Sequence, residues 1–122
     1  MFAFERLEVY KRAKAMVKTV YSATAAFPAE ERYGLTSQVR RAAISVVSNL
    51  AEGCARTSRK DQAHFTQLAY SSLMEVLCQL DLAQDLGFLS ADAYALVRGD
   101  ILAISKMLSG LRASQFNSSG TP

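Results

Sequence analysis

Apolar residues recur at steps of three and four along almost the whole chain, and this periodicity is the feature that most restricts the fold. Such spacing places apolar side chains along one face of an α-helix. Signals for β-strands are weak, since no Asn-Gly or Asp-Gly turn separates alternating apolar runs. The chain has 122 residues, 50% of them hydrophobic, and can therefore form one all-α domain without disulfide or metal support.

The first two amphipathic segments are separated by Pro28. We predict a first helix over residues 5–25, which ends before this proline because proline disfavours helical backbone at the preceding residue. A second helix is predicted to begin near Thr36 or Ser37, either of which can cap its first turn, and to extend to about Gly53. The apolar stripes of these two helices contain Leu7, Tyr10, Ala13, Val17, Val20, Thr24, Val39, Ala42, Ala43, Val46, Val47, Leu50 and Ala51.

Local capping signals define the last two helices. Ser58-x-x-Asp61 resembles a capping box and predicts a third helix over residues 59–86, which Gly87 ends as a C-terminal cap. Ser90 can cap a fourth helix, whose apolar residues follow a heptad pattern. The apolar stripes here contain Phe65, Ala69, Ser72, Leu73, Val76, Leu77, Leu80, Ala83, Leu86, Tyr94, Val97, Ile101, Ile104, Leu108 and Leu111.

Four helices joined by short loops favour an antiparallel, up-down-up-down four-helix bundle. We predict that residues 1–113 form this bundle and that residues 114–122, which are mostly small and polar, form a flexible C-terminal tail. The second and third helices have wider apolar faces than one stripe requires. Either these helices self-associate with another copy, or they lie deeper within the monomer.

The charge is unevenly divided along the chain, although the formal net charge is only +3. Residues 1–60 contain eleven Lys and Arg against five Asp and Glu, whereas residues 61–122 contain three against six. This asymmetry suggests a surface that faces a polyanion or charge-complementary assembly with another copy; ordinary solvated helix faces are the simpler reading. No segment is long and apolar enough to span a membrane, and residues 1–10 do not resemble a secretory signal, so we expect a cytoplasmic protein.

The sequence contains no recognisable catalytic, metal or cofactor motif. Cys54 and Cys78 have no paired C-x-x-C spacing, and His64 is the only histidine, so a zinc site lacks ligands. Asp61-x-x-His64 is a single pair, whereas a di-iron bundle needs two Glu-x-x-His pairs and two further glutamates. We therefore expect no enzyme, no metal and no cofactor.

A polar stripe runs beside the apolar stripe on the second helix and has a counterpart on the third. If the two stripes meet, Asn49 and Glu52 can hydrogen-bond with Ser72, Gln79 or Arg56, because buried amides and carboxylates must find partners. We predict that the stripes form a structural or interface network. A paired acid site at Glu52 and Glu75 is the catalytic alternative, but no histidine or phosphate loop accompanies it. The network residues are Ser45, Asn49, Glu52, Arg56, Ser72, Glu75 and Gln79.

Several motifs occur in the order and at the separations found in one known family. They are Phe4-x-x-Leu7, Phe27-Pro28-x-Glu30, Tyr33-Gly34-Leu35-Thr36-x-Gln38-x-Arg40-Arg41-Ala42, Ser45-x-x-Ser48-Asn49-x-Ala51-Glu52-Gly53, Arg56, and Phe65-x-x-x-Ala69-x-x-Ser72-x-x-Glu75. The chain thereby resembles the four-helix-bundle proteins encoded in intervening sequences of bacterial large-subunit ribosomal RNA genes. It is more distantly similar to the accessory protein of diversity-generating retroelements, a basic pentamer that handles nucleic acid.

The resemblance implies a bundle that assembles into a ring-shaped homo-oligomer, commonly a pentamer, with no established enzymatic activity. Together with the charge asymmetry it leads to the hypothesis of a non-enzymatic homo-oligomer that binds RNA or another nucleic acid. The alternative is an oligomeric scaffold or protein-interaction module that binds no nucleic acid. The candidate nucleic-acid contacts are Lys11, Arg12, Lys14, Lys18, Arg40, Arg41, Arg56, Arg59 and Lys60.

Overall fold

Four α-helices account for most of the chain. The computed structural model describes residues 1–119, with side chains described through residue 117. Short 3-10 helices occupy Ala3–Arg6 and Ala29–Glu31, and no strand occurs within residues 1–119. The prediction of an all-α fold with four helices is confirmed. The helices are α1 (Glu8–Thr24), α2 (Leu35–Cys54), α3 (Arg59–Asp85) and α4 (Ala91–Ser119).

The limits of α3 follow the local signals in the sequence. The Ser58 hydroxyl accepts a hydrogen bond from the Asp61 backbone N–H over 3.0 Å, which satisfies one free amide of the first turn. At the other end Gly87 adopts a φ of 81°, a left-handed conformation that glycine tolerates best. The backbone N–H groups of Gly87 and Phe88 donate to the carbonyls of Gln84 and Ala83, which completes a Schellman motif.

The start of α2 differs from the prediction. Gly34 occupies the N-cap position, and neither Thr36 nor Ser37 caps the helix. A carboxylate oxygen of Glu31 instead accepts from the Leu35 backbone N–H over 3.1 Å. A Cβ at Gly34 would lie 3.1 Å from the same oxygen, so glycine leaves room for this contact.

The core lies where the four helices meet. The contacting pairs are α1 with α2, α2 with α3, α3 with α4 and α1 with α4. In α1 the periodic stripe is offset from the prediction, because Met16 is fully buried while Val17 is only partly buried. The Leu86 side chain is 60% exposed although it was predicted to be buried. The largest fully buried apolar side chains are Met16, Val20, Val39, Val46, Leu73, Val76, Leu80, Ile101, Ile104 and Leu108.

Helix α4 continues beyond its predicted end. Residues 114–119 are helical, whereas the sequence predicted a flexible tail from residue 114. The physical reason is a tertiary contact, because Gln115 is buried and its Oε1 accepts a hydrogen bond from the Thr66 hydroxyl over 2.8 Å. The rest of the predicted tail, residues 120–122, lies outside the described residues.

The described helices contain no segment long and apolar enough to cross a membrane.

Candidate functional site

The predicted polar network divides into separate contacts. The hydroxyls of Ser45 on α2 and Ser72 on α3 lie 2.8 Å apart and share a hydrogen bond across the two helices. The Asn49 amide donates to the Ser45 carbonyl and hydroxyl at 2.9 and 3.0 Å. The Arg56 guanidinium, just beyond the end of α2, donates instead to Glu52 in the last turn of that helix over 3.0 Å, and both side chains are exposed. Ser45, Asn49 and Ser72 thus form one cluster, and Glu52 and Arg56 form another.

A shallow groove of about 380 Å³ lies between α2 and α3, and we call it the polar groove. The remaining two network residues, Glu75 and Gln79, line it together with Arg41. The Gln79 Oε1 atom is shielded from solvent and, within the described part of the chain, has no hydrogen-bond partner. The residues that line the polar groove are Gln38, Arg41, Ala42, Ser45, Ser72, Glu75 and Gln79.

The two candidate acids do not share a cleft. Glu52 is bound by Arg56, whose guanidinium also lies 4.5 Å from the centre of the Phe65 ring. Glu75 lies in the polar groove with Arg41. Proton chemistry between paired carboxylates needs both groups at one site. The geometry therefore supplies no combined acid and base at these residues.

The four candidate cations of α1 are exposed. Lys11 makes a long ion pair of 3.8 Å with Glu8, in which both side chains are well solvated. The Lys14 ammonium lies 5.5 Å from the centre of the Tyr10 ring. Exposed pairs of this kind contribute little to stability, so these side chains stay available to a ligand. The α1 candidates are Lys11, Arg12, Lys14 and Lys18.

Arg40 is engaged within the protein. Its Nε donates to the Thr24 hydroxyl over 2.8 Å, and its Nη2 donates to the Tyr21 carbonyl over 3.3 Å. The guanidinium also lies 4.4 Å from the centre of the Tyr21 ring. The Thr24 hydroxyl in turn donates to the Val20 carbonyl over 2.8 Å. These contacts join α2 to α1, which sequence reasoning did not anticipate because no local pattern marks Tyr21 as a partner.

Three further candidate cations lie where α2 passes into α3. Arg56, Arg59 and Lys60 are all exposed, and the Arg56 carbonyl accepts from the Gln62 side chain over 2.9 Å. Nearby packing is close, because a Cβ on Gly53 would lie 3.1 Å from the Cβ of Phe65. Arg59 borders a cavity of about 230 Å³ between chain segments that are distant in sequence. Its lining consists of Ala3, Leu7, Leu50, Gly53, Cys54, Arg59, Gln62, Thr66, Leu111 and Gln115.

A second groove, of about 250 Å³ between α1 and α2, is almost entirely apolar. Val17, Ile44 and Val47 line it, and Lys14 and Lys18 stand at its margin with Ser48. We call this feature the lysine groove. Sequence reasoning missed it, although Ile44 stood outside the predicted stripe as an apolar residue on an otherwise polar face of α2.

Groups that could bind a metal or act as nucleophiles are scattered. No cluster of three or more His, Cys, Asp or Glu side chains suited to a metal occurs among the described residues. His64 is exposed and its ring lies edge-on to Phe65, at 5.5 Å between centroids. Burial raises the pKa of the Cys54 thiol, which lowers its thiolate fraction at neutral pH. Cys78 is exposed and unpaired.

Comparison with solved structures finds the same fold in a protein of unknown function from the S23 ribosomal protein family of Bacteroides thetaiotaomicron. That crystal structure superposes with a TM-score of 0.77 at 18% sequence identity, over 85% of this chain and 97% of the other. At this identity the likeness supports the fold alone. No curated protein matches the chain by comparison.

Residues 5–110 match the sequence pattern of the 23S rRNA-intervening sequence protein family. The matched region includes all of α1, α2 and α3 and most of α4, together with both clusters of the polar network. Neither the family description nor that of the structural neighbour indicates an enzyme. The chain therefore belongs to the 23S rRNA-intervening sequence protein family.

Proposed function

We propose that this protein is a non-enzymatic homo-oligomer that binds structured RNA through exposed cations gathered at one end of its helices. The single observation that carries the proposal is the exposure of Lys11, Arg12, Arg59 and Lys60, whose side chains extend into solvent from α1 and the start of α3. The family to which this chain belongs is named for intervening sequences of 23S rRNA. Phosphate binding of this kind is sequence-tolerant and is weakened by salt.

The gathering of these cations depends on an antiparallel, up-down-up-down order of the helices. Short connections favour this order, since residues 55–58 join α2 to α3 and residues 86–90 join α3 to α4. Contacts between distant residues support it: Arg40 with Thr24, Ser45 with Ser72, and Thr66 with Gln115. In this order the start of α1 and the α2–α3 junction lie at the same end.

We call this end the basic end and define it by Lys11, Arg12, Arg56, Arg59 and Lys60. The cavity beside Arg59 supports the grouping, because Leu7 before α1 and Leu50 near the end of α2 border the same space. Glu8 and Glu52 neutralise part of the charge through Lys11 and Arg56. Arg12, Arg59 and Lys60 consequently supply most of the field available to phosphates.

Assembly would multiply this modest charge. A ring of five copies, the stoichiometry that family resemblance implies, has a formal charge of +15, five times the +3 of one chain. In a cyclic ring the basic ends are equivalent by rotation and lie at one level along the ring axis. Within the described residues Arg12, Arg59 and Lys60 make no contact with an aromatic ring, so the proposed contact of these cations is with the RNA backbone.

Fluorescence anisotropy of a labelled RNA hairpin tests this function. The variant Arg12→Gln/Arg59→Gln/Lys60→Gln should bind at least tenfold more weakly at about 50 mM salt, and its log-log salt slope should fall by about two. No binding by the wild-type protein at this salt concentration would refute the proposal.

A matched control removes the same number of exposed cations from other positions, as Arg32→Gln/Arg98→Gln/Lys106→Gln. This control should retain most of the affinity. An equal loss in both triple variants would show that net charge, rather than the basic end, governs binding.

The alternative function, a scaffold that binds no nucleic acid, is favoured by the apolar floor of the lysine groove. It predicts a solution mass that is a multiple of the monomer mass after nuclease treatment. Size-exclusion chromatography with light scattering measures that mass, and the ratio of absorbance at the nucleic-acid and protein maxima reports bound RNA. A monomer would contradict the scaffold.

A further inference from the structure

The lysine groove is an apolar surface with a charged margin. Its floor residues are incompletely covered, since Ile44 is 44% exposed and Val17 and Val47 are partly buried. Lys14 and Lys18 lie at its edge and form no ion pair with another described residue. Contiguous apolar surface with a charged rim is typical of a protein-interaction site. A partner that fits it must present apolar side chains flanked by carboxylates.

The second half of α3 presents this pattern. Leu82 and Leu86 are 48% and 60% exposed, and they are among the most exposed leucines of the described chain. Asp81 and Asp85 are also exposed and make no ion pair within the described residues. We call these four residues the leucine stripe. Its two carboxylates and two leucines are each separated by four residues, which places each pair about 6 Å apart along the helix.

The spacing of the charges is the same on both surfaces. Lys14 and Lys18 are also four residues apart on α1, so their ammonium groups repeat at the same interval as the carboxylates of Asp81 and Asp85. Two ion pairs can therefore form together while leucines cover the apolar floor. Complementary charges of this kind contribute to the specificity and the register of binding more than to its affinity.

A single copy cannot bring the two surfaces together. Within the described residues no Cα atom of α1 lies within 8 Å of a Cα atom of α3, whereas both helices pack directly against α2. Leu82 and Leu86 follow Gln79 by three and seven residues and so lie on the side of α3 that carries the polar groove. The lysine groove lies on the other side of α2, between α2 and α1.

We propose that the leucine stripe of one copy occupies the lysine groove of the next copy. This inference rests on the self-association in the proposed function and assigns its contact surfaces. Because two different surfaces meet, the contact is heterologous and generates a ring when the rotation closes, or a filament when it does not. Lys14 and Lys18 are then covered by a neighbour, which leaves RNA to the basic end.

Charge reversal at the two surfaces tests the pairing by light scattering. Lys14→Glu/Lys18→Glu and Asp81→Lys/Asp85→Lys should each dissociate the assembly, with at least a tenfold rise in the concentration of half-assembly. Reversing all four charges in one chain, as Lys14→Glu/Lys18→Glu/Asp81→Lys/Asp85→Lys, should restore association, because opposite charges then face each other at every contact. All four side chains are exposed, and circular dichroism melting of each variant checks that the monomer remains folded.

The control pair is Lys106→Glu and Asp100→Lys, which reverses exposed charges on α4 outside both surfaces and should leave the mass unchanged. A multimeric wild type whose mass survives both reversals would overturn the pairing while self-association stands. Dissociation by the lysine reversal alone would show that another acidic partner surface occupies the groove, and would also overturn it. A monomeric wild type would refute the self-association itself.

Discussion

Replacement of Arg40 by alanine separates a structural role from a nucleic-acid contact. The substitution removes the 2.8 Å bond to the Thr24 hydroxyl, the 3.3 Å bond to the Tyr21 carbonyl and the ring contact at 4.4 Å. A hydrogen bond from a charged group contributes about 1.5–3 kcal/mol, and a partly exposed cation–π contact contributes about 0.5–1 kcal/mol. The longer bond is exposed, and Thr24 retains its own bond to Val20, so no buried hydroxyl is left unpaired.

We therefore expect Arg40→Ala to lower the free energy of unfolding by about 2 kcal/mol. For a chain of this length that loss corresponds to a decrease of about 8 °C in melting temperature. Urea denaturation followed by far-UV circular dichroism measures the change. Arg41→Ala is the matched control, because Arg41 is the exposed neighbour on the same helix and its loss should cost less than about 0.5 kcal/mol.

The same two variants report on RNA binding. Since the Arg40 guanidinium is engaged within the protein, Arg40→Ala should leave the salt dependence of RNA binding unchanged at temperatures where the variant is folded. Equal stability of the two variants would contradict the structural role. A salt slope reduced by about 0.7–0.9 in Arg40→Ala would show that this side chain contacts a phosphate after all.

Three other substitutions or reactions follow from the packing. Leu80→Ala should destabilise the protein by about 2–5 kcal/mol in urea denaturation because the side chain is fully buried, whereas Leu96→Ala, at a 70% exposed position, should have little effect. Gln79→Met removes a shielded and unpartnered oxygen, so the melting temperature should stay the same or rise; a clear fall would indicate a missed partner. Burial raises the pKa of the Cys54 thiol, so a disulfide reagent should modify the exposed Cys78 before Cys54 at pH 8. The rate of modification of Cys54 should still be rising with pH where the rate for an ordinary thiol has levelled off. Faster modification of Cys54 than of Cys78 would contradict this order.

The sequence predicted structure best where the cause is local. Ser58 and Gly87 set the ends of α3 through hydrogen bonds within a few residues, and both were recognisable as caps. The start of α2 was not recognisable, because the group that accepts from the Leu35 backbone N–H is the carboxylate of Glu31, four residues before Leu35. Gln115 appeared to belong to a polar tail, and only its contact with a distant residue explains its burial.

Ambiguity in the helical stripe had a similar origin. Met16 and Val17 are adjacent and apolar, so the period of an α-helix admits either as the core residue, and packing against the other helices selects Met16. In the candidate site the polar stripes suggested that Asn49 and Glu52 bond with Ser72, Gln79 or Arg56. Glu52 does pair with Arg56, whereas the hydrogen bond across the two helices joins Ser45 to Ser72. The role of Arg40 could not be predicted, since arginine on a helix face is compatible with solvent, phosphate or an intramolecular partner.

Side-chain hydrogen bonds at three of the seams between neighbouring helices have a consequence for axial register. One joins α1 to α2 at Thr24 and Arg40, the second joins α2 to α3 at Ser45 and Ser72, and the third joins α3 to α4 through Thr66. Apolar ridges repeat at every turn, so a slip of about 5.4 Å between two helices would preserve much of the hydrophobic contact. Such a slip would break the polar bond at that seam. The apolar layers thus hold the helices together, and the polar bonds select one register among several that the layers alone would accept.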